Sequence, residues 1–247
     1  MTVNDQQIEQ FMQTFLGYGN LESDFWFIGM EEGGGNTVEE IQARLSYWIE
    51  GGCKVVEDVA EYHQKFGMGY FFDESPKNQP TWNKLIRIIL ALEQQPLSLN
   101  CVKAFQKDRL ARQGGDNCLL ELFPLPSPSV GHWLYSEVSA LDYLASRDRY
   151  KAHLQELRIE LLREKIAKYK PKLVVFYGNN PEYRQYWGKI ADCELTGIEI
   201  EGRPAFKAFN GETLYLVVSH PVATGITNDY FHRIGDLART HLETVVL

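Results

Sequence analysis

The chain has 247 residues, of which 44% are hydrophobic and 23% charged, as is typical of a globular domain with one substantial core. No apolar run is long enough to span a membrane, and the polar segment 1–13 lacks a signal-peptide core, so we expect a cytoplasmic protein without membrane contact. The net charge of −8 argues against nucleic-acid binding over a broad basic surface, although it is compatible with a local basic patch.

Hydrophobic spacing predicts alternating helices and strands in a single domain over residues 1–247, without repeats or linkers. Helices are predicted over residues 4–16, 37–49, 54–65, 82–92, 137–145, 148–168 and 228–243, with another beginning at Pro181. Core strands are predicted over residues 25–29, 118–123, 172–177 and 213–218, and a hairpin over 195–209. The charged residues between 147 and 170 are expected to form a solvated helix face.

The four cysteines do not form a Cys-x-x-Cys pair, which argues against a zinc ribbon or a closely spaced iron–sulfur motif. The histidines likewise show no metal-ligand spacing. We therefore expect reduced thiols, no metal and no cofactor.

Each predicted core strand ends in a loop with unusual chemistry. The first runs into Glu31, Glu32 and three glycines, and the second into a proline-rich loop over 124–129. The third ends in Gly178-Asn179-Asn180 and the fourth in Ser219-His220-Pro221. Because ligands of α/β sheets bind outside the carboxyl ends of the strands, these four loops predict one composite site.

The order of these motifs resembles the uracil-DNA glycosylase superfamily over residues 25–243. Gly29-Met30-Glu31-Glu32-Gly33 stands where that family has Gly-Gln-Asp-Pro-Tyr-His, Gly-Glu-Ala-Pro-Gly or Gly-x-Asn-Pro-Gly. The segments 117–128 and 170–179 are similar to its second and third motifs, and His220-Pro221-Val222 is similar to its His-Pro-Ser. The resemblance implies a three-layer α/β/α sandwich around a four-stranded, mainly parallel sheet, and a monomeric, monofunctional DNA glycosylase that flips a base out of DNA.

The resemblance also implies roles for individual residues. Glu31 would be the catalytic carboxylate that stabilises the oxocarbenium-like sugar or orients water, and His220 would donate a hydrogen bond to the departing base. Asn117 would read the edge of the base, and Phe71 or Phe72, or their neighbour Tyr70, would stack on it. The remaining implied contacts are Glu32 and Gly33 at the base, and Pro126, Ser127, Asn179, Thr224 and Ile226 at the DNA, with Ile226 as the wedge.

The sequence departs from the family pattern at three positions. Glu32 replaces a proline, which places two carboxylates side by side and is expected to raise the pKa of one of them. Gly33 replaces the tyrosine that excludes 5-substituted pyrimidines in the uracil-specific branch, so we expect a base larger than uracil, such as a modified phage cytosine. Val222 replaces the serine of the DNA-wedging loop.

Other interpretations remain open at the level of sequence. Glu31 and Glu32 are compatible with a solvated turn, Asn117 with a turn cap, and Phe71 and Phe72 with the core. The acidic charge and Glu32 favour a catalytically inactive module that binds nucleic acid or a protein. A hydrolase of free nucleosides is a third possibility, and roles in repair and in anti-phage defence are equally compatible with the sequence.

Overall fold

The computed structural model describes residues 3–129 and 131–245. Within these ranges no helix is both long and apolar enough to cross a membrane. The described chain contains helices α1 (Asp5–Thr14), α2 (Val38–Glu50), α3 (Val59–Lys65), α4 (Pro80–Leu92), α5 (Leu99–Asp108), α6 (Tyr135–Val138), α7 (Arg147–Tyr169), α8 (Pro181–Ala191) and α9 (Asn228–Val245).

The strands of the described chain form one mixed, eight-stranded sheet with the order β3-β1-β4-β2-β5-β8-β7-β6. They are β1 (Gly17–Gly19), β2 (Phe25–Glu31), β3 (Val56–Glu57), β4 (Asn117–Phe123), β5 (Leu173–Tyr177), β6 (Thr196–Ile200), β7 (Arg203–Phe209) and β8 (Leu214–Val218). The chain is therefore an α/β protein.

The predicted four-stranded sheet is wrong in its number of strands. The four predicted core strands are the contiguous parallel centre, β4-β2-β5-β8. The β6–β7 hairpin adds two antiparallel strands at one edge, and β1 and β3 add two short strands at the other. Since β1 and β3 have only three and two residues, neither is long enough to show an alternating pattern in the sequence.

The central strands have continuous apolar sequences because both faces of the sheet are covered. All five residues of β5 and all five of β8 are buried. Helix α7 packs against β4, and α4 and α9 pack against each other. Gly17 of β1 permits close approach, because a Cβ there would overlap the backbone of Leu119 in β4 and its φ of +143° suits glycine.

Three helices differ from the prediction. Helix α5 was not predicted, and the helix predicted over 54–65 begins only at Val59, because residues 56–57 pair with β1 as β3. The helix predicted over 137–145 ends at Val138 and is followed by a separate 3-10 turn, Asp142–Leu144. The Asp5 carboxylate accepts hydrogen bonds from the Ser139 hydroxyl at 2.6 Å and from the Ala140 amide at 3.1 Å. These side-chain bonds hold residues 139–140 outside the helical path.

The prediction that the charged residues between 147 and 170 form a solvated face is also wrong for two arginines. Arg158 of α7 is fully buried. Its guanidinium donates to the carbonyl oxygens of Leu122 at 2.8 Å, Glu121 at 2.9 Å and Met12 at 3.2 Å. Arg147 is nearly as buried, with 10% of its side chain exposed. Helix α7 therefore turns charged groups toward the sheet as well as toward solvent.

Candidate functional site

The parallel register brings the carboxyl ends of the four central strands to one edge of the sheet. Glu31 of β2 lies opposite Phe123 of β4, and Tyr177 of β5 lies opposite Val218 of β8. The glycine loop 32–37, the proline-rich loop, the Gly-Asn-Asn turn and the Ser-His-Pro loop all leave from this edge. The predicted meeting of these loops at one edge therefore agrees with the sheet register.

Glu31 is held at the end of β2 by an ion pair. Its Oε2 lies 2.8 Å from Nη1 of Arg147, and 12% of its side chain is exposed. Its other oxygen, Oε1, is buried and has no hydrogen-bond partner among the described residues. Burial raises the pKa of the Glu31 carboxyl, while Arg147 and Lys151 act in the opposite direction. The arrangement is that of a desolvated carboxylate with one oxygen fixed and one unpaired.

Glu32 points to a different partner. The hydroxyl of Tyr18 on β1 donates to its two carboxylate oxygens, at 2.7 and 3.0 Å. Burial raises the pKa of the Glu32 carboxyl, whereas the nearby Arg44 guanidinium and the Tyr18 hydrogen bond lower it. The two adjacent glutamates are thus fixed by separate groups, Arg147 and Tyr18.

Glu121 is a third carboxylate at this edge, and it is not among the site residues predicted from the sequence. It lies on β4 opposite Gly29 of β2, and its Oε1 accepts a hydrogen bond of 2.8 Å from the Tyr177 hydroxyl. A Cβ at position 29 would overlap Tyr177 and Glu121, so only glycine leaves room for this pair. Burial, with the charges of Glu32 and Glu31 adding to it, raises the pKa of Glu121 to about 8, against the lowering effect of the Tyr177 hydrogen bond. Glu121 is therefore largely protonated at neutral pH.

We expect Glu121 to make the stability of the protein depend on pH. Its folded pKa lies above its unfolded value, so its contribution to the free energy of unfolding is full at low pH. That contribution is lost progressively as the pH rises from about 4.5 to about 8. The loss is on the order of a few kcal/mol. Urea unfolding at pH 5.5 and 8.5 measures it by comparing wild type with Glu121→Gln.

The Glu121→Gln variant retains the shape of the protonated side chain but cannot ionise. It should be closest to wild type in stability at pH 5.5 and relatively more stable at pH 8.5. A matched control is Glu137→Gln, since Glu137 is exposed. Equal pH dependence in wild type and Glu121→Gln would contradict a buried, protonated Glu121.

His220 lies in an open groove of about 450 Å³, whose lining contains none of the three carboxylates. Asn179, Thr224 and Ile226 line the same groove, as does Arg203 of β7. The His220 ring lies 6.0 Å from that of Tyr177, the tyrosine bonded to Glu121. Four predicted residues therefore share one surface, and Tyr177 connects it to the carboxylate cluster.

The tautomer of His220 follows from its backbone contact. The Val222 amide donates to Nδ1 at 3.4 Å, so Nδ1 is the acceptor and Nε2 carries the hydrogen of the neutral ring. Partial burial lowers the pKa of His220 from its ordinary value, which favours the neutral form. His220 is thus a neutral donor through Nε2 at neutral pH.

The structure does not bring Asn117 to this site. Asn117 begins β4 opposite Phe25, the first residue of β2, whereas Glu31 lies opposite Phe123. Six residues of strand place it about 20 Å from that edge. Its amide accepts from Ala111 N at 2.8 Å and donates to Arg109 O at 3.0 Å and Asp116 Oδ1 at 2.7 Å. The base-reading role predicted for Asn117 does not fit this position. The alternative interpretation of Asn117 as a turn cap fits it, because its amide bonds to residues 109–116.

We expect Asn117→Ala to lower the free energy of unfolding by about 1–3 kcal/mol, because it leaves the buried amide of Ala111 without its partner. Urea unfolding measures this effect, and the exposed Asn100→Ala serves as a control. Any enzymatic activity of the folded variant should be unchanged. Loss of activity with unchanged stability would instead show that Asn117 acts in the functional site.

The two phenylalanines predicted to stack on a base pack inside an aromatic cluster. Phe72 is buried against His63 and Trp82, and Phe71 contacts the same two rings. A stacking role does not fit the buried Phe72, because it belongs to the core. Tyr70 is 42% exposed and lies 4.5 Å from the Phe71 ring, so it is the accessible aromatic side chain of this segment.

Pro126 and Ser127 are buried beneath the glycine loop. Pro126 lies against Gly34 and Gly35, and the Ser127 amide donates to the Glu32 carbonyl at 3.1 Å. The direct DNA contact predicted for these two residues does not fit their burial, because the exposed part of the loop is 128–129. Gly33 is exposed, and a Cβ there would meet open space.

Sequence reasoning missed the third carboxylate, Glu121, and the residues that hold the carboxylates: Tyr177, Tyr18 and Arg147. A signal existed for Glu121, because a single charge inside the apolar run Cys118–Phe123 is rarely buried without a purpose. The others could not be selected, since their role depends on neighbours distant in sequence.

Among the described residues, no three His, Cys, Asp or Glu side chains are arranged to hold a metal ion. The carboxylates instead bind Arg147 and two tyrosine hydroxyls. Neither protein-family models nor curated protein sequences gave a match to this chain.

Proposed function

We propose that this protein is a DNA glycosylase that hydrolyses the N-glycosidic bond of a flipped, modified base. The observation that carries the proposal is that the desolvated Glu31 carboxylate and the groove of the neutral donor His220 lie at the same carboxyl edge of a parallel sheet. Tyr177 links the two, because it contacts His220 and is hydrogen-bonded to Glu121. The likeness of the four loop motifs to the uracil-DNA glycosylase superfamily supports it, and the proposal includes that family's fold.

Each residue has a chemical task in this reaction. As the bond between the sugar and the base nitrogen breaks, positive charge develops on the sugar and negative charge on the base. The Glu31 carboxylate stabilises the sugar cation or orients the water that adds to it. The hydrogen on His220 Nε2 stabilises the anionic base. The water supplies hydroxyl to the sugar, and its remaining proton neutralises the departing base.

The neighbouring groups keep Glu31 ready for this task. Arg147 favours its ionised form in a buried setting, and Tyr18 fixes the adjacent Glu32 away from it. Glu121 remains mostly neutral, which limits the negative charge already present beside the developing base anion.

The proposed substrate is a pyrimidine with a bulky substituent. Gly33 leaves open space where the uracil-specific branch of the resembled family has a tyrosine. A 5-substituted cytosine of modified phage DNA suits this space, and a defence role then follows from that substrate. Monomeric state and cytoplasmic location stay predictions.

Oligonucleotides carrying uracil, hypoxanthine, 5-hydroxymethylcytosine or its glucosylated form test the proposal. Each is incubated single- and double-stranded with the protein, and abasic sites are scored as alkali-labile breaks. Wild type should cleave one bulky pyrimidine, and both Glu31→Gln and His220→Ala should lose that cleavage.

Two other results would contradict the proposal. Binding of these oligonucleotides without release of any base would favour the inactive binding module. Turnover of the corresponding free nucleosides, with the polymers left intact, would favour a nucleoside hydrolase.

A further inference from the structure

A second polar cavity lies away from the carboxylate cluster, between α4, α5 and α9. Its volume is about 350 Å³, and Lys84, Arg87, Asn78, Asn83 and Asn228 line it. Its lining includes two cations and three neutral amides and contains no carboxylate. The proposed glycosylase reaction uses none of these residues.

The two cations have only neutral hydrogen-bond partners among the described residues. Arg87, which is 5% exposed, donates from Nε to Asn83 Oδ1 at 2.8 Å and from Nη1 to Leu97 O at 2.7 Å. Nη1 also lies 3.0 Å from His232 Nε2. Lys84 Nζ donates to Asn228 Oδ1 at 2.6 Å. These bonds of Arg87 use Nε and Nη1, which leaves Nη2 for a ligand.

The nearest opposing charge is Asp229, beside the cavity rather than in its lining. Its carboxylate lies 3.3 Å from His232 Nδ1, and 78% of its side chain is exposed. Burial lowers the pKa of Lys84, and Arg87 lowers it further, against the weaker effect of Asp229. A buried arginine is ordinarily paired with an anion, so this pair of cations has uncompensated positive charge.

Helix geometry adds to the same field. Pro80, Leu99 and Asn228 are the first residues of α4, α5 and α9, and all three line the cavity. The positive ends of these three helix dipoles favour negative charge in one place, while Pro80 has no N–H to donate and the Trp82 and Cys101 amides already donate to their caps.

We propose that this cavity, which we call the Lys84–Arg87 cavity, binds a phosphate group. Arg87 Nη2 and Lys84 Nζ supply the charged donors, and the amides of Asn78 and Asn228 supply neutral ones. Two sources provide this chemistry, a free phosphate compound or the backbone of DNA. Ile226 lines the His220 groove, and Asn228, two residues further along the chain, lines the cavity. A DNA strand that crosses the groove would therefore pass beside the cavity. Only the DNA source rests on the proposed function.

Inorganic phosphate tests the shared chemistry directly. Titration calorimetry should show binding to the wild-type protein at constant ionic strength, and phosphate should raise the midpoint of thermal unfolding. Lys84→Gln should weaken this binding by at least about tenfold, because it removes a charge-assisted hydrogen bond in a partly buried site. Lys65→Gln, at an exposed lysine of α3, should leave binding unchanged.

An unmodified single-stranded oligonucleotide distinguishes the two sources without depending on base release. If the DNA backbone is the source, Lys84→Gln should weaken DNA binding and make its logarithmic salt dependence shallower by about one phosphate contact. If a free phosphate compound is the source, only the inorganic phosphate titration should change.

The conservative variant Arg87→Lys separates binding from folding. It should weaken phosphate binding while the protein remains folded by circular dichroism. If wild type binds no phosphate, and Lys84→Gln and Lys65→Gln bind DNA equally, the phosphate site is wrong. Base release by the same proteins would then still support the glycosylase proposal.

Discussion

Glu31→Gln should slow base release by roughly a hundredfold to a thousandfold, the effect of removing one preorganised charge from a transition state. The substitution keeps the size of the side chain but removes the negative charge that stabilises the sugar cation. Single-turnover release of the modified base, measured with saturating protein, isolates this chemical step from binding. DNA affinity should change much less than the rate.

The control for Glu31→Gln must account for Arg147, which loses its ion-pair partner in this variant. Thermal unfolding of the variant shows whether the protein is still folded at the assay temperature. Glu39→Gln removes a carboxylate that is exposed in the first turn of α2, and it should leave the rate unchanged. A folded Glu31→Gln protein with the wild-type rate would exclude Glu31 as the catalytic carboxylate.

Arg158→Met should lower the free energy of unfolding by about 3 kcal/mol or more, since it removes three hydrogen bonds from a buried cation to carbonyl oxygens. These bonds join α7 to β4 and to the end of α1. The methionine retains most of the apolar stem, so the lost polar contacts dominate the change. Urea unfolding monitored by tryptophan fluorescence measures the effect.

Arg149→Met is the matched control, because Arg149 is an exposed arginine of the same helix. Its effect should stay within about 0.5 kcal/mol of wild type. Burial lowers the pKa of Arg158 to about 10, so the buried cation itself carries a desolvation cost. A destabilisation by Arg158→Met no larger than that of Arg149→Met would show that this cost cancels its three hydrogen bonds.

Local patterns in the sequence were sufficient for the central architecture. The apolar runs that became β2, β4, β5 and β8 are recognisable because a strand buried on both faces has a nearly continuous hydrophobic sequence. The start of the helix predicted over 37–49 is likewise set locally, because the Thr37 side chain caps α2 by accepting a hydrogen bond from Glu40 N. These features depend on residues close together along the chain.

The short edge strands, and the choice between two positions of Asn117, required the tertiary structure. Strands β1 and β3 have too few residues for a periodic signal, and pairing with neighbours defines them. Asn117 directly precedes the predicted strand 118–123, which indicates the amino end of the strand, whereas the family resemblance assigned Asn117 to the site. The register with β2 places it at the amino end.

By itself the sequence determined an α/β chain whose core strands end in chemically unusual loops, because hydrophobic periodicity and glycine or proline punctuation are local properties. Only the tertiary structure decided which charges are buried together. Arg147 and Glu31 are far apart in the chain yet form an ion pair, and Glu121 acquires its raised pKa from burial beside Tyr177. Burial and pairing of charges depend on contacts between distant residues, and a linear pattern does not contain those contacts.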